Sequence, residues 1–255
     1  MTYKDIKVTS NEGVTLIQLA RSNSLNALRN LTLEEIASVL QNSEKNDTDK
    51  CVVISGSESV FAAGADLQEM QKLSPVSSLL NIRSDYWKII RQFSKPLLAS
   101  VNGYALGAGC ELMMHCDIVL VGDNVRIGQP EINLGIIPGA GGTQRLVRTV
   151  GKSLAMKMIL TGEFINAEKA VESGLASEVC PGEVTLKRTL EVAKKIAEKS
   201  TLALKLAKEA ILNAFEAPLE LGLEHERKAF AILAASADRE EGISAFLDKR
   251  TPKYI

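Results

Sequence analysis

Cysteine is sparse in this chain. Cys51, Cys110, Cys116 and Cys180 are its only cysteines, and no two of them make a CxxC pair. That excludes a disulfide scaffold, and free thiols at this density fit a reducing compartment, so a cytoplasmic location is expected. Long apolar runs are missing as well. None reaches the roughly 18–20 residues that a membrane helix requires, so no membrane insertion is expected. Residues 1–20 carry Asp5 and Glu12 within an alternating apolar pattern, which is neither a signal nor a transit peptide. Charge of one sign is not in excess: 30 basic and 31 acidic residues leave a net charge of −1. Nothing draws such a chain to nucleic acid or to an anionic membrane.

Familiar catalytic motifs are also absent. Gly139-Ala140-Gly141-Gly142 lacks the spaced third glycine of a dinucleotide fingerprint, and no complete Gly-x-x-x-x-Gly-Lys-Ser/Thr phosphate loop occurs. There is no Gly-x-Ser-x-Gly nucleophile elbow. Only two histidines occur. His115 lies four residues after Glu111 on one helix face, where a packed histidine is the simpler reading than a Glu–His dyad. His225 reads as an exposed helix residue. His115 with Cys110 and Cys116 makes no zinc spacing, and no metal is expected.

What is present is a soluble-protein composition over 255 residues, with 45% hydrophobic and 24% charged residues. The first two-thirds alternate strand and helix patterns, which implies an α/β core. Strands are expected at 5–10 and 14–19 around Asn11-Glu12-Gly13, and again at 51–56, 97–101 and 117–122. Helices are expected over 31–44, 76–94, 108–115 and 142–150. Asp66 is placed to cap the helix that follows it. From residue 152 onward the pattern is helical, apart from 176–180.

The chemistry-bearing residues lie in glycine-rich loops. Glu111 sits in Gly107-Ala108-Gly109-Cys110-Glu111, and Glu131 in Gln129-Pro130-Glu131-Ile132. Ala63-Gly64-Ala65 and Gly107-Ala108-Gly109 each fall between a strand and a helix. If each presents a backbone N–H to one point, they form an oxyanion hole, a donor of which is typically worth about 2.7–4 kcal/mol in the transition state. On glycine content alone, tight helix–strand packing is the simpler reading. Glu111 stands in a first helical turn of otherwise apolar character, where ionisation is favoured by the helix N-terminus and opposed by burial. Two carboxylates facing one pocket repel, so one tends to keep a proton, which suits acid–base work near neutral pH. On spacing alone, a capping carboxylate and a solvated loop residue account for the two.

Taken together, Phe61-Ala-Ala-Gly-Ala-Asp66, the run Asn102 to Leu112, Gln129-Pro-Glu-Ile132 and the run Leu134 to Leu146 resemble the crotonase (enoyl-CoA hydratase/isomerase) superfamily across essentially the whole chain. The resemblance implies an α/β fold, a spiral of ββα turns with a helical C-terminal trimerisation region. It places the catalytic core at 1–195 and the trimerisation region at 196–255. It implies an acyl-CoA thioester as substrate, with CoA belonging to the substrate and no separate cofactor, and a homotrimer or a homohexamer of two trimers.

By position in the family motifs, Ala65 and Ala108 are the oxyanion donors, and Gly139 offers a backbone N–H at the water site. Glu111 holds and deprotonates water, and Glu131 protonates the α-carbon, so that water adds across the 2,3 double bond. Ser24, Leu25, Ala63 and Ala65 line the CoA cleft, and Phe246 and Lys249, with Phe230 as a weaker candidate, reach it from C-terminal helices. Asn23 and Gln68 stand where the family often carries positive charge. Isomerases of the family keep the carboxylate matching Glu131 and lack the other. An isomerase working through Glu131, or a non-catalytic acyl-CoA-binding protein, are the competing expectations. Among family members the overall likeness is to bacterial hydratases of phenylacetate catabolism acting on 2,3-dehydroadipyl-CoA.

Overall fold

The structure is a computed structural model that describes residues 2–79 and 82–254. It begins with a hairpin of β1 (Ile6–Asn11) and β2 (Val14–Leu19). Glu12 and Gly13 between them have φ of 48° and 79°. Two left-handed residues in a two-residue loop match the twist of the flanking strands. Helix α1 (Asn30–Glu44) follows, then β3 (Cys51–Ser55) and β4 (Val60–Ala62). Next come α2 (Leu67–Met70), α3 (Pro75–Leu79) and α4 (Arg83–Gln92). The second ββα turn is β5 (Leu97–Val101), β6 (Tyr104–Leu106) and α5 (Ala108–Met114). The third is β7 (Ile118–Gly122), β8 (Arg126–Gly128), a 3-10 turn over Pro130–Leu134 and α6 (Gly142–Thr161). The chain continues through α7 (Ala167–Glu172), β9 (Glu178–Cys180), α8 (Thr185–Ala197), α9 (Thr201–Asn213), α10 (Leu219–Ala234) and α11 (Ala237–Leu247).

The strands form two sheets, a six-stranded one ordered β1-β2-β3-β5-β7-β9 and a three-stranded one ordered β4-β6-β8. Apart from the first hairpin, the pairings are parallel. Every residue of β3 and β5 is buried, as a parallel sheet covered on both faces requires. Alternate side chains go to opposite faces: Val52 and Ile54 join the main core, while Cys51 and Val53 meet α8 through Ala193, Leu190 and Ile196. Burying a side chain such as Ile54 contributes about 1.5–3 kcal/mol.

The strand and helix patterns in the sequence correspond closely to these elements, with two corrections. The expected helix over 76–94 is helical in two described pieces, α3 and α4, and residues 80–81 lie outside the described residues. The second sheet has no counterpart among the patterns in the sequence. Its strands have three residues each, too short to show an alternating period among glycines. The helix break expected after Val150 is real: Gly151, at φ 78° and ψ 165°, interrupts α6.

The expected end of the core at residue 195 falls in the last turn of α8. α9 is tied down by Lys208 to Asp117 at 2.7 Å and by Lys205 to Glu44 at 3.0 Å. α10 and α11 then present exposed Leu219, Leu221, Phe230, Phe246 and Leu247. Among the described residues no helix is long and apolar enough to cross a membrane.

Candidate active site

The small sheet decides where the site lies. Each of its parallel strands delivers one loop on the same side: Ala63–Ala65 after β4, Gly107–Ala108 after β6 and Gln129–Glu131 after β8. Gly109 has no room for a side chain, since a Cβ there would lie 2.1 Å from the Ala62 carbonyl oxygen. The start of α5 is therefore pressed against the end of β4, which brings the first two loops together. Gly107, at φ +49°, makes the reversal that a β-carbon would oppose.

Ala65 is gripped on both sides. The Leu28 N–H donates to the Gly64 carbonyl at 2.8 Å, and the Asp66 N–H donates to the Leu28 carbonyl at 3.0 Å. The N–H of Ala65 itself meets no acceptor among the described residues. Ala108 opens α5, and a first-turn N–H has no partner within its helix. Two backbone donors thus remain at the adjoining loops.

Glu111 is 2% exposed. The N–H groups of Ala140 and Gly142 both donate to its Oε1 at 2.7 Å. Burial pushes its pKa upward, and those two N–H groups and the Arg83 charge oppose the rise. With Oε1 doubly engaged, Oε2 is the oxygen left for a reacting partner.

Glu131 stands in the 3-10 turn, with its carboxyl against Gly107, where an added Cβ would lie 3.0 Å from Oε1. Its pKa is raised to about 7, first by desolvation and then by the neighbouring Glu111 charge, while its own backbone N–H opposes the shift. The buried side-chain amide of Gln129, oriented to satisfy its neighbours, donates to both Glu131 oxygens at 3.0 and 3.1 Å. The two carboxylates therefore differ in kind. Glu111 has two backbone donors and a guanidinium favouring its anion; Glu131 sits near its titration midpoint at neutral pH.

A profile of the enoyl-CoA hydratase/isomerase family matches residues 9–255. The chain belongs to this family. The 2,3-dehydroadipyl-CoA hydratase of Escherichia coli K12 is 48% identical to it over 250 residues, covering 98% of each chain. The mitochondrial enoyl-CoA hydratase of Pongo abelii is 45% identical over 244 residues, 96% of this chain and 84% of that one. The crystal structure of an enoyl-CoA hydratase from Bacillus anthracis superposes with a TM-score of 0.94 at 36% identity, covering 98% of this chain and 99% of that one. The expected crotonase-like fold is the observed one.

For this hydratase/isomerase family member, the structure groups Glu111, Glu131, Ala65 and Ala108. It also joins Ala63 to the Ser24–Leu25 segment, through the Ala63 N–H donating to the Leu25 carbonyl at 3.0 Å. Gly139 is exposed beside the Glu111 shell, but the N–H groups that reach Glu111 belong to Ala140 and Gly142. No hydrogen bond or ion pair among the described residues joins Phe246 or Lys249 to Ser24, Leu25 or Ala63. Phe246 is 83% and Phe230 75% exposed. His115 is packed, its Nδ1 at 2.8 Å from the Glu111 carbonyl and its ring against Trp87, and burial lowers its pKa to about 3. His225 departs from the expected exposed face: it lies partly buried, with Nε2 at 3.1 Å from Glu209 of α9.

Four contributing residues give no functional signal in the sequence. Gln129 stands next to a motif proline and gives no signal of its own. Arg83 lies on α4, 28 residues before Glu111 in the chain, and only folding makes it a neighbour. The donors Ala140 and Gly142 act through backbone that any residue carries.

Proposed function

We propose that this chain is an enoyl-CoA hydratase that adds water across the 2,3 double bond of a 2-enoyl-CoA thioester to give the 3-hydroxyacyl-CoA. The observation that carries the reading is the inequivalent pair, Glu111 and Glu131, set beside two backbone N–H groups without protein acceptors. The substrate's thioester oxygen sits between the N–H groups of Ala65 and Ala108. A water hydrogen-bonded to Glu111 Oε2, and offered the Gly139 N–H, loses a proton to Glu111 as its oxygen attacks C3. The π electrons move toward the thioester, and the charge that develops on its oxygen is met by donors already in place. Protonated Glu131 delivers its proton to C2. Water is consumed, the double bond becomes a C–OH and a C–H bond, and the proton taken by Glu111 replaces the one given by Glu131 through solvent.

The family likeness supports a CoA cleft lined by Ser24, Leu25 and Ala63. Phe246, Lys249 and Phe230 serve that cleft only from a neighbouring copy, which fits a homotrimer or a pair of trimers built through residues 196–255. A cytoplasmic location accords with the free thiols. The name of the Escherichia coli relative supports a substrate whose acyl chain ends in a second carboxylate.

Adding the protein to crotonyl-CoA should abolish the ultraviolet band of the conjugated thioester and yield 3-hydroxybutyryl-CoA. A band that persists would count against the hydratase reading and leave the isomerase and acyl-CoA-binding readings. The near-neutral pKa of Glu131 also suits a proton shuttle between C2 and C4, so isomerisation of 3-enoyl-CoA is the second reading. Retention of isomerisation and loss of hydration in Glu111→Gln would separate the two activities.

A further inference from the structure

One cation lies at the far end of the hydrogen-bonded path that leads to Ala65. Arg21 precedes the Ser22–Ser24 turn, and its guanidinium is largely buried, with 14% of the side chain exposed. Nη1 donates to the Ala27 carbonyl, and Nη2 donates to Asp66 Oδ2 at 3.0 Å. The Ala27 carbonyl and the Leu28 N–H belong to one peptide group. That N–H donates to the Gly64 carbonyl at 2.8 Å. The Gly64 carbonyl in turn shares a peptide group with the Ala65 N–H. In a planar trans peptide the N–H points opposite to the C=O. Leu28 therefore fixes the direction in which the Ala65 N–H points.

We infer that Arg21 is a positioning residue for the oxyanion hole, acting through two successive peptide groups that end in the Ala65 N–H. The inference rests on the hydratase reading, because it takes Ala65 as a donor to the thioester oxygen. Chains of aligned hydrogen bonds polarise one another. A guanidinium on the first carbonyl draws electron density toward itself, making the Leu28 N–H a stronger donor. That N–H in turn polarises the Gly64–Ala65 peptide and strengthens the last donor. The same side chain anchors the other flank of Ala65. Asp66, paired with Arg21, also accepts from the Gln68 and Glu69 N–H groups and so caps α2. Arg21 is itself steadied by Asp5 at 3.7 Å, a carboxylate already bound bidentately by Arg29. From α4, Arg83 donates to the Leu28 carbonyl with both Nη groups at 3.2 Å, holding Leu28 from its other side.

A lysine cannot reproduce this arrangement. Its single ammonium lacks the planar fork that reaches Ala27 and Asp66 together. The test compares wild type with Arg21→Lys, Arg21→Gln and Arg21→Met. It measures hydration kinetics for crotonyl-CoA and for an enoyl-CoA of six acyl carbons ending in a carboxylate. It also records the infrared band of a 13C-labelled thioester carbonyl bound to each protein. Expected is a fall in kcat on the order of tenfold in Arg21→Met, equal for both substrates, with KM within about twofold. The bound carbonyl band should move back toward its free frequency, with Arg21→Lys in between. A wild-type kcat and carbonyl band in both Arg21→Gln and Arg21→Met would overturn the inference. So would a kcat loss that merely follows the folded fraction with the band unmoved, or a loss confined to the substrate with the distal carboxylate. If Arg21→Met fails to fold, the Lys and Gln variants carry the same comparison. Failure of wild type itself to hydrate either substrate would instead refute the hydratase reading.

Discussion

The side-chain amide of Gln129 lies 3.0 and 3.1 Å from the two carboxylate oxygens of Glu131, and Gln129 has no exposed surface. An amide N–H directed at a carboxylate favours its ionised form and fixes its plane. Removing it should raise the Glu131 pKa further. In the proposed hydration Glu131 acts as the proton donor and must be protonated, so the proposal predicts that activity falls as pH rises through its pKa. Gln129→Leu is therefore expected to shift the alkaline limb of the hydration pH profile to higher pH, and to lower kcat about tenfold through lost orientation. An unshifted limb with unchanged kcat would count against this role.

The same carboxyl gives a stability prediction. Glu131 has its pKa raised from 4.5 to about 7 in the folded protein. A raised acid favours the fold while neutral, so its contribution is complete below about pH 4.5 and is lost as pH rises through about 7. Glu131→Gln cannot ionise and escapes that loss. At pH 8 its unfolding free energy should exceed the wild-type value by roughly 1–2 kcal/mol after allowance for solvent screening of a partly exposed group, with a correspondingly higher Tm. The difference should close at pH 4.5. A Tm gap independent of pH would show that ionisation of Glu131 is not responsible.

Gly139 and Gly142, one before α6 and one at its first residue, should behave differently. A Cβ at Gly142 would lie 2.6 Å from the Pro138 side chain and 3.0 Å from Glu111 Oε1, whereas Gly139 has nothing within 4 Å. Gly142→Ala should lose about 1–3 kcal/mol of stability and should disturb the Glu111 shell enough to lower kcat. Gly139→Ala should leave Tm unchanged, because an added Cβ there meets no neighbouring atom. Thermal unfolding and steady-state kinetics on the pair check both statements.

Much of this was legible in the sequence because its signals are local. The alternation in Val14–Leu19, the turn at Glu12-Gly13 and the capping position of Asp66 each depend on a few neighbouring residues, and each is found in the fold. The two glutamates and two alanines were found through family motifs, and the structure gathers them beside one small sheet. That sheet itself was hidden. Strands such as Val60–Ala62 are too short for a period to show, and they are specified by parallel pairing with distant partners. Gln129 was hidden for a related reason: its role depends on the amide reaching Glu131 across a proline turn. Arg21 and Arg83 give no role in the sequence: Arg21 reaches Ala27 across its own loop, and Arg83 reaches Leu28, 55 residues away, only once α4 packs beside it.

The central claim is that Glu111 and Glu131 divide the base and acid roles of hydration. It is tested most directly by the steady-state rate of crotonyl-CoA hydration in Glu111→Gln and Glu131→Gln, with acyl-CoA affinity measured on the same samples. Loss of a positioned acid or base typically costs 10²–10⁴-fold, so kcat should fall by at least about a hundredfold in each variant while affinity stays within about threefold of wild type. A near-wild-type kcat in Glu111→Gln would contradict the assignment.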